Sequence, residues 1–425
     1  MSKRSLVRSG LISLVVAISV TLPLSLGAQQ RLSIEEARAE AVKANEQFQI
    51  LEKRIERSQT IRRQALAGLL PEVGLGLSGT LNANEVELQG RVITPRFDWG
   101  GNAYASIMLF DGRQYPLYSE AGLQEEATRK LSEWGRHVLG FEVEQAFYEL
   151  AAAERELEIA EATVKLRQAY ADRAKALAEQ GIAIPLDAAR AESQVLVAEQ
   201  TLVNAKARLG NASDALAVLM GKELNGEFRA NVSEAERLAL PDGGVNLEAR
   251  RDLEAEEIFI QTIEKQESSV WWSLFPTLEL RGTGRVGPES LSNPDTFLWA
   301  VSLNLNWILY DGGARWARAE QLSIETEIAR LELSNLERNV SADQVRAMRD
   351  WRAANEAIEV AKKNVEVSQN AYDMANARFD AGLATSIEVT EASDELFRAQ
   401  LSLVQSELEA DLAASRYRFT QGINK

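Results

Sequence analysis

The sequence has no cysteine and a single histidine, His137, among 425 residues. Without cysteine there is no disulfide framework, and no thiol to carry a lipid anchor after an export signal. With one imidazole and no thiolate, the usual ligand sets of a transition-metal site cannot be assembled. Basic charge is in deficit as well: 47 Lys and Arg face 63 Asp and Glu, a net of -16, which excludes nucleic acid as a natural partner. Proline is absent between Pro116 and Gly181 and between Gly312 and Gly382. Nothing in either stretch interrupts a helix.

One long apolar run exists, at the start. Lys3, Arg4 and Arg8 precede it, Leu11 to Leu26 form it, and Gly27 and Ala28 close it. Ser13, Ser19, Thr21 and Pro23 break its apolarity, so residues 1–28 read as a secretory signal peptide rather than a permanent membrane helix. Its removal takes away three basic and no acidic side chains, and moves the net charge from -16 to -19. Such a surface favours cations, although a solubilising helix surface rich in Glu and Ala accounts for any single charge equally well.

Periodicity carries the rest. Trp351, Ala354, Ile358, Ala361, Val365, Ser368, Tyr372, Ala375 and Phe379 recur at spacings of three and four, a coiled-coil seam. The seam stops at Gly382, which permits the left-handed conformation that ends a helix, and Thr385 with Glu388 reads as a capping box opening the next one. The chain reverses here. About 200 residues upstream, Leu150, Ala153, Leu157, Ala160, Val164, Arg167, Ala171, Ala174 and Ala178 repeat the seam, with Arg167 as the one charged member, and Gly181 matches Gly382. Two long helical hairpins in one chain indicate a duplication.

The order of elements repeats too. A helix from about Ile34 to Ala67 leads to Leu70-Pro71, and one from about Leu247 to Ser273 leads to Phe275-Pro276. Alternation follows each proline, as in Val73, Leu75 and Leu77 or Leu278 and Leu280, and returns in Val301, Leu303, Leu305, Trp307 and Leu309. Strands are expected at about 71–84, 97–110, 277–287 and 297–310. Both second strands end in an aromatic residue and Asp-Gly. Asp111 and Asp311 can cap the following helices, while Gly112 and Gly312 take the bend. Each of those helices, reaching to a tip at 181 or 382, spans on the order of 100 Å.

The fold class is therefore mainly α with a small β part, as a duplicated helix-strand-strand-helix unit. Residues 29–221 form repeat 1, residues 222–245 a connecting segment with a turn cluster at Pro241, Asp242, Gly243 and Gly244, and residues 246–425 repeat 2. Trp99, Trp271, Trp272, Trp299 and Trp307 lie beside the strands. Alternating strands flanked by aromatics suit either a soluble sheet packed on helices or a transmembrane barrel. Four strands close no barrel, since small ones start at about eight, and open edges are not tolerated in lipid. A membrane role thus demands several copies.

The chain resembles the TolC-type outer-membrane efflux proteins. The resemblance spans nearly the whole mature chain and rests on RLSIEEARAEAVKAN at 31–45, LLPEVGL at 69–75, RRDLEAEE at 250–257, LFPTLEL at 274–280, the two aromatic-Asp-Gly turns and the tip RFDAGLATSIEVTEA at 378–392. It implies a homotrimer whose twelve strands share one barrel in the outer membrane of a Gram-negative bacterium. Its helices would form a tunnel across the periplasm, with residues 222–245 in a belt around it. Its role would be a passive exit duct for a tripartite efflux pump or type I secretion, docking a periplasmic adaptor and an inner-membrane transporter. Gln180, Gly181, Ile182 and Ala183, with Ala381, Gly382, Leu383 and Ala384, match the tips that face the adaptor. Glu388 and Glu391 fall where the family places carboxylates at the tunnel's narrowest end. Ala384 stands where the best-known member has a basic residue that pairs with these acids, so that closing latch is not reproduced.

Catalysis finds no foothold. Gly74, Gly76 and Gly79 satisfy G-x-G-x-x-G but lie in a strand and open no helix. No catalytic residue, metal or cofactor is assigned. The alternative from another class is a periplasmic coiled-coil adaptor or scaffold, which would be expected to carry a globular β-domain.

Overall fold

The computed structural model describes residues 30–88, 90–181, 184–224, 228–231, 245–286 and 297–422. The expected signal peptide lies outside the described residues, as does most of the connecting segment. Repeat 1 comprises β1 (Gln30–Leu32), α1 (Ile34–Ala44), α2 (Glu46–Ala67), β2 (Glu72–Leu81), β3 (Val86–Leu88), β4 (Arg91–Thr94), β5 (Phe97–Phe110), α3 (Gln114–Glu179) and α4 (Pro185–Leu219). After β6 (Phe228–Ala230), repeat 2 follows as α5 (Arg251–Trp272), β7 (Thr277–Val286), β8 (Leu298–Asn306), α6 (Ala314–Asp380) and α7 (Ser386–Thr420).

The duplication is visible in the lengths. Helices α2 and α5 have 22 residues each, α4 and α7 have 35 each, and α3 and α6 have 66 and 67. Every one of the eighteen seam positions named above is buried or half-buried, so the 3.5-residue period places apolar stripes along each hairpin. The largest core lies part-way along the hairpins, where α1, α3, α4 and the parallel pair β1–β6 meet. Phe147, Leu150, Leu216 and Met220 are completely inaccessible there, each contributing about 1.5–3 kcal/mol by burial.

Sheet order is β2-β5-β7-β8, antiparallel throughout. Cross-strand glycines are covered by rings: a Cβ on Gly74 would meet the Tyr104 ring at 2.3 Å, and one on Gly284 the Phe297 ring at 2.3 Å. These packings pin register, as aromatic cover of strand glycines does elsewhere.

Four expectations need correction. The first helix does not run unbroken to Ala67. Asn45 leaves the helix at φ -69°, ψ 130°, accepts from the Gln47 backbone N–H (2.7 Å), and donates its amide to the Leu219 carbonyl (2.7 Å); a contact 174 residues away ends α1. The corresponding helix of repeat 2 begins at Arg251, not near Leu247. The strand expected at 297–310 stops at Asn306, because its partner β7 starts at Thr277 and Pro276 has no N–H to continue the ladder. The strand expected at 71–84 ends at Leu81, where the Asn82 N–H turns to the Arg96 carbonyl (2.8 Å) and the chain enters the small hairpin β3–β4.

Candidate functional site

The two ends of the molecule carry the candidate chemistry. At the sheet end, directly paired residues share a face, and the registers sort the strands cleanly. Val73, Leu75 and Leu77 pair with Ala105, Ala103 and Gly101; Ala105, Ala103 and Ile107 pair with Gly282, Gly284 and Leu280; those pair with Val301, Trp299 and Leu303. That face is apolar across all four strands and uncovered: Val73, Leu75 and Leu77 are 74%, 84% and 91% exposed. The opposite face is mostly polar, with Met108 and Leu298 as apolar members. It presents Glu72, Ser78 and Thr80, Asp98, Asn102 and Tyr104, Glu279, Arg281 and Arg285, and Ser302, Asn304 and Asn306. On it the Tyr104 hydroxyl donates to Glu72 (2.8 Å) and the Arg281 guanidinium lies 4.8 Å above the Tyr104 ring.

Aromatic residues bound the apolar face. Phe97, Trp99, Phe297 and Trp299 lie at its far end, while Phe275, Trp307 and Tyr310 lie toward the helices, next to the Trp271–Trp316 edge-to-face pair. From Trp299 to Trp307 is about 27 Å along an extended run, or about 20 Å once tilted as barrel strands are.

The strand-to-helix turns join sheet to helices. Asp111 is buried and accepts from the Arg113 backbone N–H (3.1 Å) and twice from its guanidinium (2.8 Å each). These bonds hold its carboxyl below the usual range against the opposing effect of burial. For Asp311 burial acts upward too, but bonds from Arg315 and the Gly313 backbone N–H bring it below its ordinary value. Gly312 and Gly313 both take positive φ, +72° and +89°. Gly112 does not. It lies in the turn, as expected, but is glycine for space rather than for a left-handed backbone, since a Cβ there would sit 2.4 Å from Trp272 Cε3.

At the other end, Ala381 caps α6 and Gly382 follows at φ +72°. The Gly382 N–H donates to Phe379 O (2.9 Å) and the Leu383 N–H to Arg378 O (2.8 Å), a Schellman closure. Thr385 and Glu388 then form the expected capping box. Glu388 Oε1 accepts from the Thr385 backbone N–H (3.1 Å), and Oε2 lies 4.0 Å from Arg378, whose guanidinium also donates to the Leu383 carbonyl (3.3 Å). Arg378 was not among the expected site residues. Its place on the preceding helix, six residues before Ala384, shows only once the turn is folded. Glu391 is exposed on α7. At the first tip Gln180 caps α3 and Gly181 takes φ +75°, whereas Ile182 and Ala183 lie outside the described residues. No side chain caps α4 there; Pro185 starts it instead.

A family model described as outer membrane efflux protein matches residues 38–222 and 245–419, one match per repeat. The chain belongs to the outer membrane efflux protein family. Solved structures similar to it include CusC, described as forming a transmembrane channel, at 17% identity and TM-score 0.81 over 93% of this chain and 92% of that one. The outer membrane protein VceC of Vibrio cholerae matches at 17% and 0.75, over 92% and 96%. The CmeC outer membrane channel of Campylobacter jejuni matches at 14% and 0.80, over 92% and 85%. No curated protein matches. The family match spans both repeats and thereby sets aside the adaptor alternative; the family is made up of channel proteins rather than enzymes. Among the described residues no cluster of three or more potential ligands gathers to hold a metal ion.

Proposed function

We propose that three copies of this chain close one twelve-stranded barrel in the outer membrane, and that the protein is the passive exit duct of a tripartite efflux pump or type I secretion system. One observation carries the reading: an open four-stranded sheet with a bare apolar face bounded by aromatics and a polar back. In water that face would be a liability. In lipid it is an outer wall, and the polar back is a channel lining. Among the described residues no helix is long and apolar enough to cross a membrane, so strands would make the crossing. β2 and β8 are the two edges, and they run in opposite directions. Each β8 can therefore pair antiparallel with β2 of the next copy, removing every edge.

The hairpins would continue as a tunnel into the periplasm, their tips facing a periplasmic adaptor and an inner-membrane transporter that supplies the energy. Support comes from the apolar side chains bared at the tips, with Leu383 71% and Ile184 57% exposed, beside the small residues Gly181, Ala381, Gly382 and Ala384. Glu388 and Glu391, repeated threefold, would ring the entrance with negative charge and favour cations. Glu391 would be the stronger of the two, because Glu388 is already engaged by its cap and Arg378. Purified protein in planar bilayers tests this. Trimers with a cation-preferring conductance are expected, and Glu391→Gln should lower the preference more than Glu388→Gln. Absence of trimer and conductance would end the duct reading.

A further inference from the structure

Within each hairpin the helices meet through apolar and small residues. The surface joining the two hairpins adds charge to such packing, which near the tips sets Leu166 and Tyr170 of α3 against Phe379 of α6 and Val389 of α7. Here α3 runs antiparallel to α7, and three charged residues of α3 reach α7, Glu144 to Arg418 (3.3 Å) and Ser415, Arg155 to Glu407, and Arg167 to Asp394, while Arg173 reaches Asp380 of α6 (2.8 Å). The rungs to α7 are roughly three helical turns apart, about 17 Å. Each has a partner largely withdrawn from water, with side-chain exposures of 6% for Glu144, 11% for Glu407 and 9% for Arg167.

Arg167 is the charged member of an otherwise apolar seam, and its counterpart in repeat 2 is the small Ser368. Besides Asp394 on α7 it donates to the backbone and side-chain oxygens of Gln194 on α4, so it ties three helices. Its slot is polar but incompletely satisfied: Arg167 Nε and the Ser393 hydroxyl are buried without a hydrogen-bond partner. A buried ion pair of this kind is a weak source of stability, and its best-attested use is to fix register. A slip of one heptad, about 10 Å, would part all three charged pairs at once.

We infer that the rungs to α7 set the axial register of the first hairpin against that helix, and that Arg167–Asp394, the one of the three nearest the tips, thereby positions Glu391 and Glu388. These lie on α7 three and six residues before Asp394. The inference rests on the channel reading, with the tips as its entrance. Arg167 is a positioning residue, and the assay must separate aim from stability.

The apolar double variant Arg167→Met/Asp394→Met does so, since replacing a buried pair by packed apolar side chains is often neutral or stabilising. It should form conducting trimers of unchanged melting temperature that have lost most of the cation preference in planar bilayers. The swapped pair Arg167→Asp/Asp394→Arg should regain that preference. Conducting trimers of the apolar double variant with wild-type selectivity would overturn the register role and leave the channel reading intact. Should that variant fail to assemble, the swap decides: restored selectivity supports the rung, and conducting trimers without it refute the rung. A wild-type protein that never conducts would instead bring down the channel reading and the inference together.

Discussion

The two repeats follow one backbone path with different side chains at matched places, and the differences lie where the repeats face different neighbours. At the strand-to-helix turn, Gly112 makes room for Trp272 of the other repeat, whereas Gly312 turns the chain through a positive φ in open space. At the tip, repeat 1 opens its second helix with Pro185 and no side-chain cap, whereas repeat 2 uses the Thr385–Glu388 box. At the far end of each hairpin, Asn45 reaches the Leu219 carbonyl, and Arg250 reaches the Thr420 carbonyl (3.2 Å). Duplication preserved the geometry of the path, and each copy satisfies it with its own chemistry.

The largest expected break between the repeats lies in the core. Leu150 and Trp351 occupy matched seam positions, but Leu150 is fully buried in the main cluster and Trp351 only half-buried. Leu150→Ala should cost about 2–5 kcal/mol, more than Trp351→Ala despite the smaller side chain, as read by thermal unfolding of the two variants side by side. Equal losses would mean that the main core is not confined to the first repeat.

The glycine turns come next. Gly112→Ala should destabilise by about 1–3 kcal/mol through overpacking on Trp272, and trimming Trp272 to Leu in the same chain should recover part of it. Gly312→Ala should cost about 1–2 kcal/mol through its left-handed backbone, and no trimming should help. Rescue of both, or of neither, would merge two causes that the structure separates.

Acid sensitivity separates the turns further. The Asp111 and Asp311 carboxyls both sit below their ordinary values in the folded chain. Their stabilisation is therefore present above the unfolded carboxylate pKa of about 3.9 and is lost as pH falls through the lower folded values. Asp111→Asn should flatten the fall in melting temperature between about pH 5 and pH 2 more than Asp311→Asn, because Asp111 is the more deeply buried of the two. The smallest effect belongs to the tips: Thr385→Ala should cost about 1 kcal/mol by removing a cap, while Ile184→Asp should add a few tenths by supplying one that repeat 1 lacks.

Much of this architecture could be read from the residues. Alternation placed β5 and β7 within a residue of their bounds, the 3.5-residue seam placed four long helices, and Gly181 and Gly382 placed both tips. These features are local, and periodicity reports local geometry. What could not be read depends on distant partners. Nothing in Ala44-Asn45-Glu46 announces a helix break, because the cause is the Leu219 carbonyl. The pair β1–β6 joins two three-residue segments about 200 residues apart. That the turn residue Gly112 is glycine for space shows only once Trp272 stands beside it. At the entrance, the spacing of Thr385 and Glu388 foretold the box, whereas the approach of Arg378 to Glu388 required the folded turn.

The central claim is that separate copies complete the barrel, and the absence of cysteine makes it directly measurable. Within one chain β2 and β8 are separated by β5 and β7, about 14 Å at ordinary strand spacing, too far for a disulfide. Cysteines introduced at Ser78 or Thr80 on β2, each combined with Ser302 or Asn304 on β8, can therefore bond only between copies. Oxidation of the membrane-inserted protein should give, for at least one combination, a covalent ladder that ends at the trimer. Monomer alone in every combination, or a ladder that runs on past the trimer, would contradict the closed three-copy barrel.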